Sequence, residues 1–174
     1  MKSLFYTDFY RMTGKKMSFR NFFYVFFDYQ LRYLKVLRKK RKNFFDKCFM
    51  KKYEEKYGLQ ILAKDIGKGL YLCHAHNINV NPNAKLGNNI NLNKGCTIGQ
   101  ENRGKRKGAP VIGNEVWIGS NAMVCGAVTI GSNVLIAPNS FVNFDVPDNS
   151  IVIGNPGLIK SSLYATDGYI NNKV

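Results

Sequence analysis

Histidine is scarce in this sequence: His74 and His76 are the only two in 174 residues. That excludes a centre drawing three histidines from one chain. The four cysteines, Cys48, Cys73, Cys96 and Cys125, show no CxxC spacing. A chain this long needs no disulfide framework, so they read as reduced thiols, and no metal is expected. No run of about eighteen apolar residues occurs, so no spanning helix is expected. The stretch Met1 to Arg11 lacks the apolar segment of a secretory signal, and the expected location is the cytoplasm. Acids are few as well, 11 against 26 lysines and arginines, for a net charge of +15. With 45% hydrophobic and 21% charged residues, the chain can still bury a core.

The charge is not spread evenly. Residues 1–57 carry 16 Lys+Arg and 5 Asp+Glu, a net of +11, while residues 58–174 carry 10 and 6, a net of +4. Seventeen of the 23 aromatics also precede Gly58. Two modules therefore meet near Tyr57-Gly58. In the first, Phe19, Phe22, Phe23, Phe26 and Phe27 follow the spacing of one helix face, roughly continued by Leu31, Leu34 and Leu37. The basic run Arg38–Lys42 precedes a second amphipathic stretch with Phe45, Cys48, Phe49 and Tyr53. Gly58 is suited to end it, because glycine accepts the left-handed conformation after a helix. Three roles are open to this module: a helical cap on the rest of the chain, a contact with an anionic membrane surface, or nucleic-acid binding. The last lacks any supporting motif, and no nucleic-acid partner is expected.

From Val80 onward a branched aliphatic recurs every sixth residue: Val80, Leu86, Leu92, Ile98, then Ile112, Ile118, Val124, Ile130, Ile136 and Val142. Glycine often follows it, and a small or branched residue often stands four positions on, as at Ala84, Cys96, Ala122 and Ser140. Six is neither a helix period nor a strand alternation. It fits a β-helix with three flat sides of six residues, the aliphatic filling the axis and the next residue turning the corner. The frame slips by two residues between Leu72 and Val80, where His74 lies. It breaks again between Ile98 and Ile112, fourteen residues apart, which reads as two repeats plus two. The polar, basic segment 100–110 occupies that break. Arg103, Lys105, Arg106 and Lys107 there suit an anion, because solenoids shed functional insertions as loops on one face.

The stretches Ile66–His74, Cys96–Gln100, Val116–Gly119, Asp145–Pro147 and Gly154–Pro156 resemble the hexapeptide-repeat acyltransferases. Across residues 56–160 the chain is most similar to their serine acetyltransferase-like branch, which includes polysaccharide O-acetyltransferases. The resemblance implies a left-handed parallel β-helix over residues 58–157, which with the N-terminal α-helical module over 1–57 and a tail over 158–174 makes a mainly β chain. It implies direct transfer of an acetyl group from acetyl-CoA to a hydroxyl in a homotrimer, with His74 as general base. A base near neutral pKa is needed to take the hydroxyl proton, and imidazole suits that task. His76, Asn77 and Lys94 fall to the acceptor side. Counting sides places Lys94 at the corner equivalent to His74 in the adjacent coil. Gly99, Gly119, Ser120, Ala137 and Pro138 fall on the pantetheine groove. The nucleotide phosphates fall to Lys160 or to Arg103, Lys105, Arg106 and Lys107, since Leu158 replaces the cation of many relatives.

Departures from the branch bear on the acceptor. Leu59, Cys73, Gly108 and Ala109 stand where serine acetyltransferases keep groups that hold serine. Their loss would leave the charges of serine unpaired. The expected acceptor is therefore a sugar hydroxyl of a surface polysaccharide or its precursor, anionic or lipid-linked. That would suit a protein peripheral to the cytoplasmic face of the membrane. Serine O-acetylation for cysteine synthesis is the alternative, and a non-catalytic scaffold is the reading from another class.

Overall fold

The computed structural model describes residues 4–174; Met1–Ser3, on which part of the signal-sequence reading rests, lie outside the described residues. Helices α1 (Leu4–Thr13), α2 (Phe23–Phe27), α3 (Tyr29–Leu37) and α4 (Phe44–Tyr57) come first. None of the described helices is long and apolar enough to cross a membrane. The phenylalanine stripe does not form one buried face. Asp28, at φ −96° and ψ 114°, interrupts the helix, and its carboxylate caps α3 by accepting from the backbone N–H groups of Gln30 (2.7 Å) and Leu31 (3.2 Å). The helical phase restarts there. Leu31, Tyr33 and Leu34 turn inward with Val25, while Phe19 is 89% and Phe27 84% exposed. Phe45 is exposed too, and in α4 only Asp46 and Tyr53 are buried. An Asn43–Asp46 capping box starts α4, and Gly58 ends it at φ 66°, as the sequence suggests.

Fifteen short strands follow, and fourteen build a solenoid of about five turns. The inward aliphatics stack in register on three parallel sheets. One runs through Ile61, Val80, Ile98, Val124 and Val142. A second runs through Ile66, Leu86, Ile112 and Ile130. The third runs through Leu72, Leu92, Ile118, Ile136 and Val152. Nearly all of these side chains are fully buried, each contributing roughly 1.5–3 kcal/mol. The same core continues through Leu59 and Leu70 into Phe5, Phe9, Leu31 and Leu34, so the helices cap the first turn.

The ends of the helical cap are tied down by one guanidinium. Arg38, just after α3, donates to both carboxylate oxygens of Asp8 on α1 (2.6 and 2.9 Å) and to the Ile66 and Gly67 carbonyls of the first turn (2.7 Å each). Asp8, fully buried, also accepts from the Leu70 N–H at 2.8 Å.

The break at 100–110 is not two repeats plus two. Val80 to Leu86 is one step between the first two sheets, and so is Ile98 to Ile112, because Ile98 stacks on Val80 and Ile112 on Leu86. The step of fourteen is thus one repeat of six with eight residues inserted. Glu101 and Gly108 exchange backbone hydrogen bonds at 3.0 Å, closing the insertion at its base. Arg106 pairs with Glu101 at 3.1 Å, and its carbonyl accepts from the Ala127 N–H of the next turn at 2.8 Å.

Strand β15 (Leu158–Ser161) pairs antiparallel with β14 (Ser150–Ile153) beyond the last full turn. The chain then runs back along the solenoid. Asn133 donates to the Leu163 carbonyl and accepts from Thr166, Asn91 donates to the Tyr169 carbonyl, and Tyr169 meets Trp117 edge-on at 5.0 Å. Asn172 reaches the Arg11 carbonyl of α1 at 3.4 Å, and the Val174 N–H donates to Asn89 at 3.0 Å.

Candidate active site

The frame slip becomes a bulge of two residues, His74 and Ala75, on the corner leading from the third sheet to the first. Register holds through Cys73, which pairs with Asn93. Beyond it, a ladder of backbone bonds resumes: Asn77 N–H to Tyr57 carbonyl, Gly95 to His76, Asn121 to Lys94 and Asn139 to Ser120, all at 2.8–3.0 Å. Tyr57, His76, Lys94 and Ser120 are therefore the equivalent corner residues. Lys94 stacks in sequence with His76, not with His74, because the two extra residues are spent before the repeat resumes. This corrects the corner pairing of Lys94 with His74.

His74 is exposed and held in the left-handed region at φ 49°. A non-glycine residue there pays for strain only when its surroundings fix it. The surroundings do. Leu72 and Ala75 are fully buried on either side. With its amide turned so that both ends are satisfied, Gln30 on α3 spans the bulge, its NH₂ donating to the Leu72 carbonyl (3.3 Å) and its oxygen accepting from the Ala75 N–H (3.2 Å). Tyr29 adds a long contact from its hydroxyl to the Ala75 carbonyl at 3.5 Å. Burial pushes the Tyr29 phenol up, so it is a neutral donor. Tyr29 stacks on Tyr57 at 4.5 Å, and the His76 ring meets both edge-on. Burial likewise pushes the Cys73 thiol up, so a thiolate beside His74 is disfavoured, and with it a covalent acyl-cysteine relay.

Tyr29, Gln30 and Tyr57 are not among the site residues expected from the sequence. Tyr57 at the seam was visible, but nothing in residues 28–30 signalled contact with a segment over forty positions away.

The structure sorts the remaining expected site residues onto different edges. His76, Asn77 and Lys94 come together beside the bulge. Gly119 and Ser120 share that edge with Ala137 and Pro138 of the next turn; the Gly119 N–H donates to the Ile136 carbonyl, and a side chain at Gly119 would collide with the Ala137–Pro138 backbone. Gly99 and the loop lie instead on the edge between the first and second sheets. There Arg103, Lys105 and Lys107 are exposed, while Arg106 is engaged by Glu101. Lys160 is exposed on β15, opposite Ile151 and past the last full turn. Among the described residues, no group of three or more His, Cys, Asp or Glu is placed to hold a metal ion.

Residues 109–143 match the family described as bacterial transferase hexapeptide (six repeats). A serine acetyltransferase of Helicobacter pylori is 32% identical over 90 residues, covering 52% of this chain and 53% of that protein. One of Staphylococcus xylosus is 36% identical over 94 residues, covering 54% and 44%. The crystal structure of Neisseria gonorrhoeae serine acetyltransferase superposes with a TM-score of 0.60 at 32% identity, over 76% of this chain and 51% of that one. The chain spans about half the length of the curated relatives it matches. Repeat, register and relatives agree on the fold: the solenoid is a hexapeptide-repeat β-helix, similar to that of the serine acetyltransferases.

Proposed function

We propose that this chain is an acetyl-CoA-dependent O-acetyltransferase in which His74 takes the proton of the acceptor hydroxyl as that oxygen attacks the thioester. The observation that carries the reading is the bulge. An exposed imidazole sits in a strained conformation, braced from behind by Gln30, at the one corner where the repeat is interrupted beside the first turn. In such a step the hydroxyl oxygen forms the new ester bond, the thioester C–S bond breaks, and the imidazolium returns its proton to the departing thiolate. Backbone N–H groups at the corners would face the developing oxyanion. The edge bearing His74 and the edge bearing Gly99 and the cationic loop are separate within one chain. A site using both needs a neighbouring subunit, which supports a homotrimer.

The named relatives make L-serine the leading acceptor, ahead of the sugar hydroxyl expected from the sequence; none of them supports a polysaccharide. A sugar remains the second reading on one observation, the neutral aromatic wall of Tyr29, Tyr57 and His76 beside the bulge. The test is the specificity constant for L-serine beside a panel of glycan fragments, read by thiol release from acetyl-CoA. A serine value of about 10⁴ M⁻¹s⁻¹ or more supports the first reading. Turnover of glycans alone supports the second, and no thiol release with any acceptor rejects the enzyme.

A further inference from the structure

The helical cap buries one set of rings against the solenoid and leaves another in water. Phe19 is 89% exposed, Phe23 61%, Phe26 57% and Phe27 84%, and at the start of α4 Phe44 is 73% and Phe45 79% exposed. A groove of about 250 Å³ is lined by Phe22, Val25 and Phe26, by Phe49 of α4, and by Lys35 and Lys39. Soluble monomers rarely leave an apolar surface of this kind uncovered. The cations stand among the rings. Arg20 follows Phe19, and Lys40 and Arg41 occupy the exposed turn just before Phe44, next to Lys39, which is ion-paired with Asp46 at 2.5 Å.

We propose that this face docks on an anionic lipid surface. Its two components fit that occupant: phenyl rings seat at the boundary between headgroups and acyl chains, while lysine and arginine meet the headgroup charge. A second copy of this chain fits poorly, because mating two such faces would bring together two modules that each carry a net of +11. The solenoid does not cover the patch either, since the cap meets it through Phe5, Phe9, Leu31 and Leu34. Docking in this way requires no spanning helix. It is independent of the acetyl-transfer reading, which uses none of these six rings.

The test is flotation of the full chain with phosphatidylcholine vesicles, with and without phosphatidylglycerol. Binding is expected to the anionic vesicles and to fall as salt shortens the screening length from about 10 Å at 0.1 M toward about 3 Å at 1 M. Lys40→Gln with Arg41→Gln should weaken it on the order of 30-fold, at about a tenfold loss or less per charge. Phe19→Ser with Phe27→Ser should abolish retention without altering the circular dichroism spectrum, because both rings are already in water. Equal binding to both vesicle types, binding to neither, or binding indifferent to both double variants would overturn the proposal. So would a phenylalanine variant that changes mass by light scattering yet still floats, which would mark a second copy as the occupant.

Discussion

Replacing Arg38 with methionine should be among the most damaging single changes in the helical cap. The side chain is 5% exposed and makes four hydrogen bonds: two to the carboxylate of Asp8, whose own side chain is fully buried, and two to carbonyls of the first turn. Methionine fills much of the same volume but leaves Asp8 without a counter-charge, at a cost of about 3–5 kcal/mol at neutral pH. Replacing both partners, Arg38→Met with Asp8→Leu, removes the uncompensated charge. That should recover at least about 2 kcal/mol relative to the sum of the single changes. Acid should narrow the deficit. Burial pushes the Asp8 carboxyl up, against the pull of Arg38, and without Arg38 it rises further. A carboxyl raised in the folded state keeps its linked stability below the unfolded value, near 3.9, and loses it as pH rises through the folded value. The variant should thus be closer to the parent at pH 4 than at pH 7. Urea melts of the full chain at both pH values measure this. Single changes costing under 1 kcal/mol that simply add, or a deficit that widens in acid, would refute the clamp.

Other consequences are simpler to state. His74→Ala should lower kcat by roughly 10²- to 10⁴-fold and leave acetyl-CoA affinity nearly unchanged; a larger loss in His76→Ala would reassign the base. Gln30→Ala removes two bonds worth about 0.5–1.5 kcal/mol each, so kcat should fall about tenfold or more with KM for acetyl-CoA unmoved, and Gln30→Glu should retain part of the rate through its bond from Ala75. Neutralising Arg103, Lys105 and Lys107 together should raise KM for acetyl-CoA and leave the acceptor KM alone, whereas Arg106→Gln should loosen the loop itself, seen as faster proteolysis near residue 104. Burial pushes Cys96 and Tyr33 up to about 12 each. Both are neutral in the fold and ionise earlier when unfolded, so stability should fall above about pH 9 through Cys96 and above about pH 10 through Tyr33, each by about 1.4 kcal/mol per pH unit, and Cys96→Ala should flatten the first part of that fall.

The solenoid was legible because its physics is periodic. An axial aliphatic every six residues leaves few other solutions, and the slip around His74 marked a corner that departs from the rule by two residues. Periodicity could not resolve the step from Ile98 to Ile112, however. Fourteen residues satisfy both twelve plus two and six plus eight, and only the stacking of Ile112 on Leu86 decides between them. Nor could it foresee how Asp28 resets the phase between α2 and α3, leaving the phenylalanine stripe outside. At the candidate site, the departure of the His74 corner from the frame was visible. Its brace was not, because Gln30 acts through two backbone groups of a distant segment, and such contacts leave no pattern in a single sequence.

The segment that runs back from Ser162 to Val174 changes how the whole stack should come apart. In a simple repeat array each turn leans only on its neighbours, so the outer turns can fray and reclose on their own. Here one strap is fastened to Asn149, Asn133, Trp117 and Asn91 in four successive turns, with Asn89 beside Asn91, and reaches α1 at Arg11. The last turn cannot peel away without pulling on contacts at the far end. Amide protons of the final turn should therefore exchange at rates close to those of the middle turns, and cutting the strap should restore a gradient of protection along the axis.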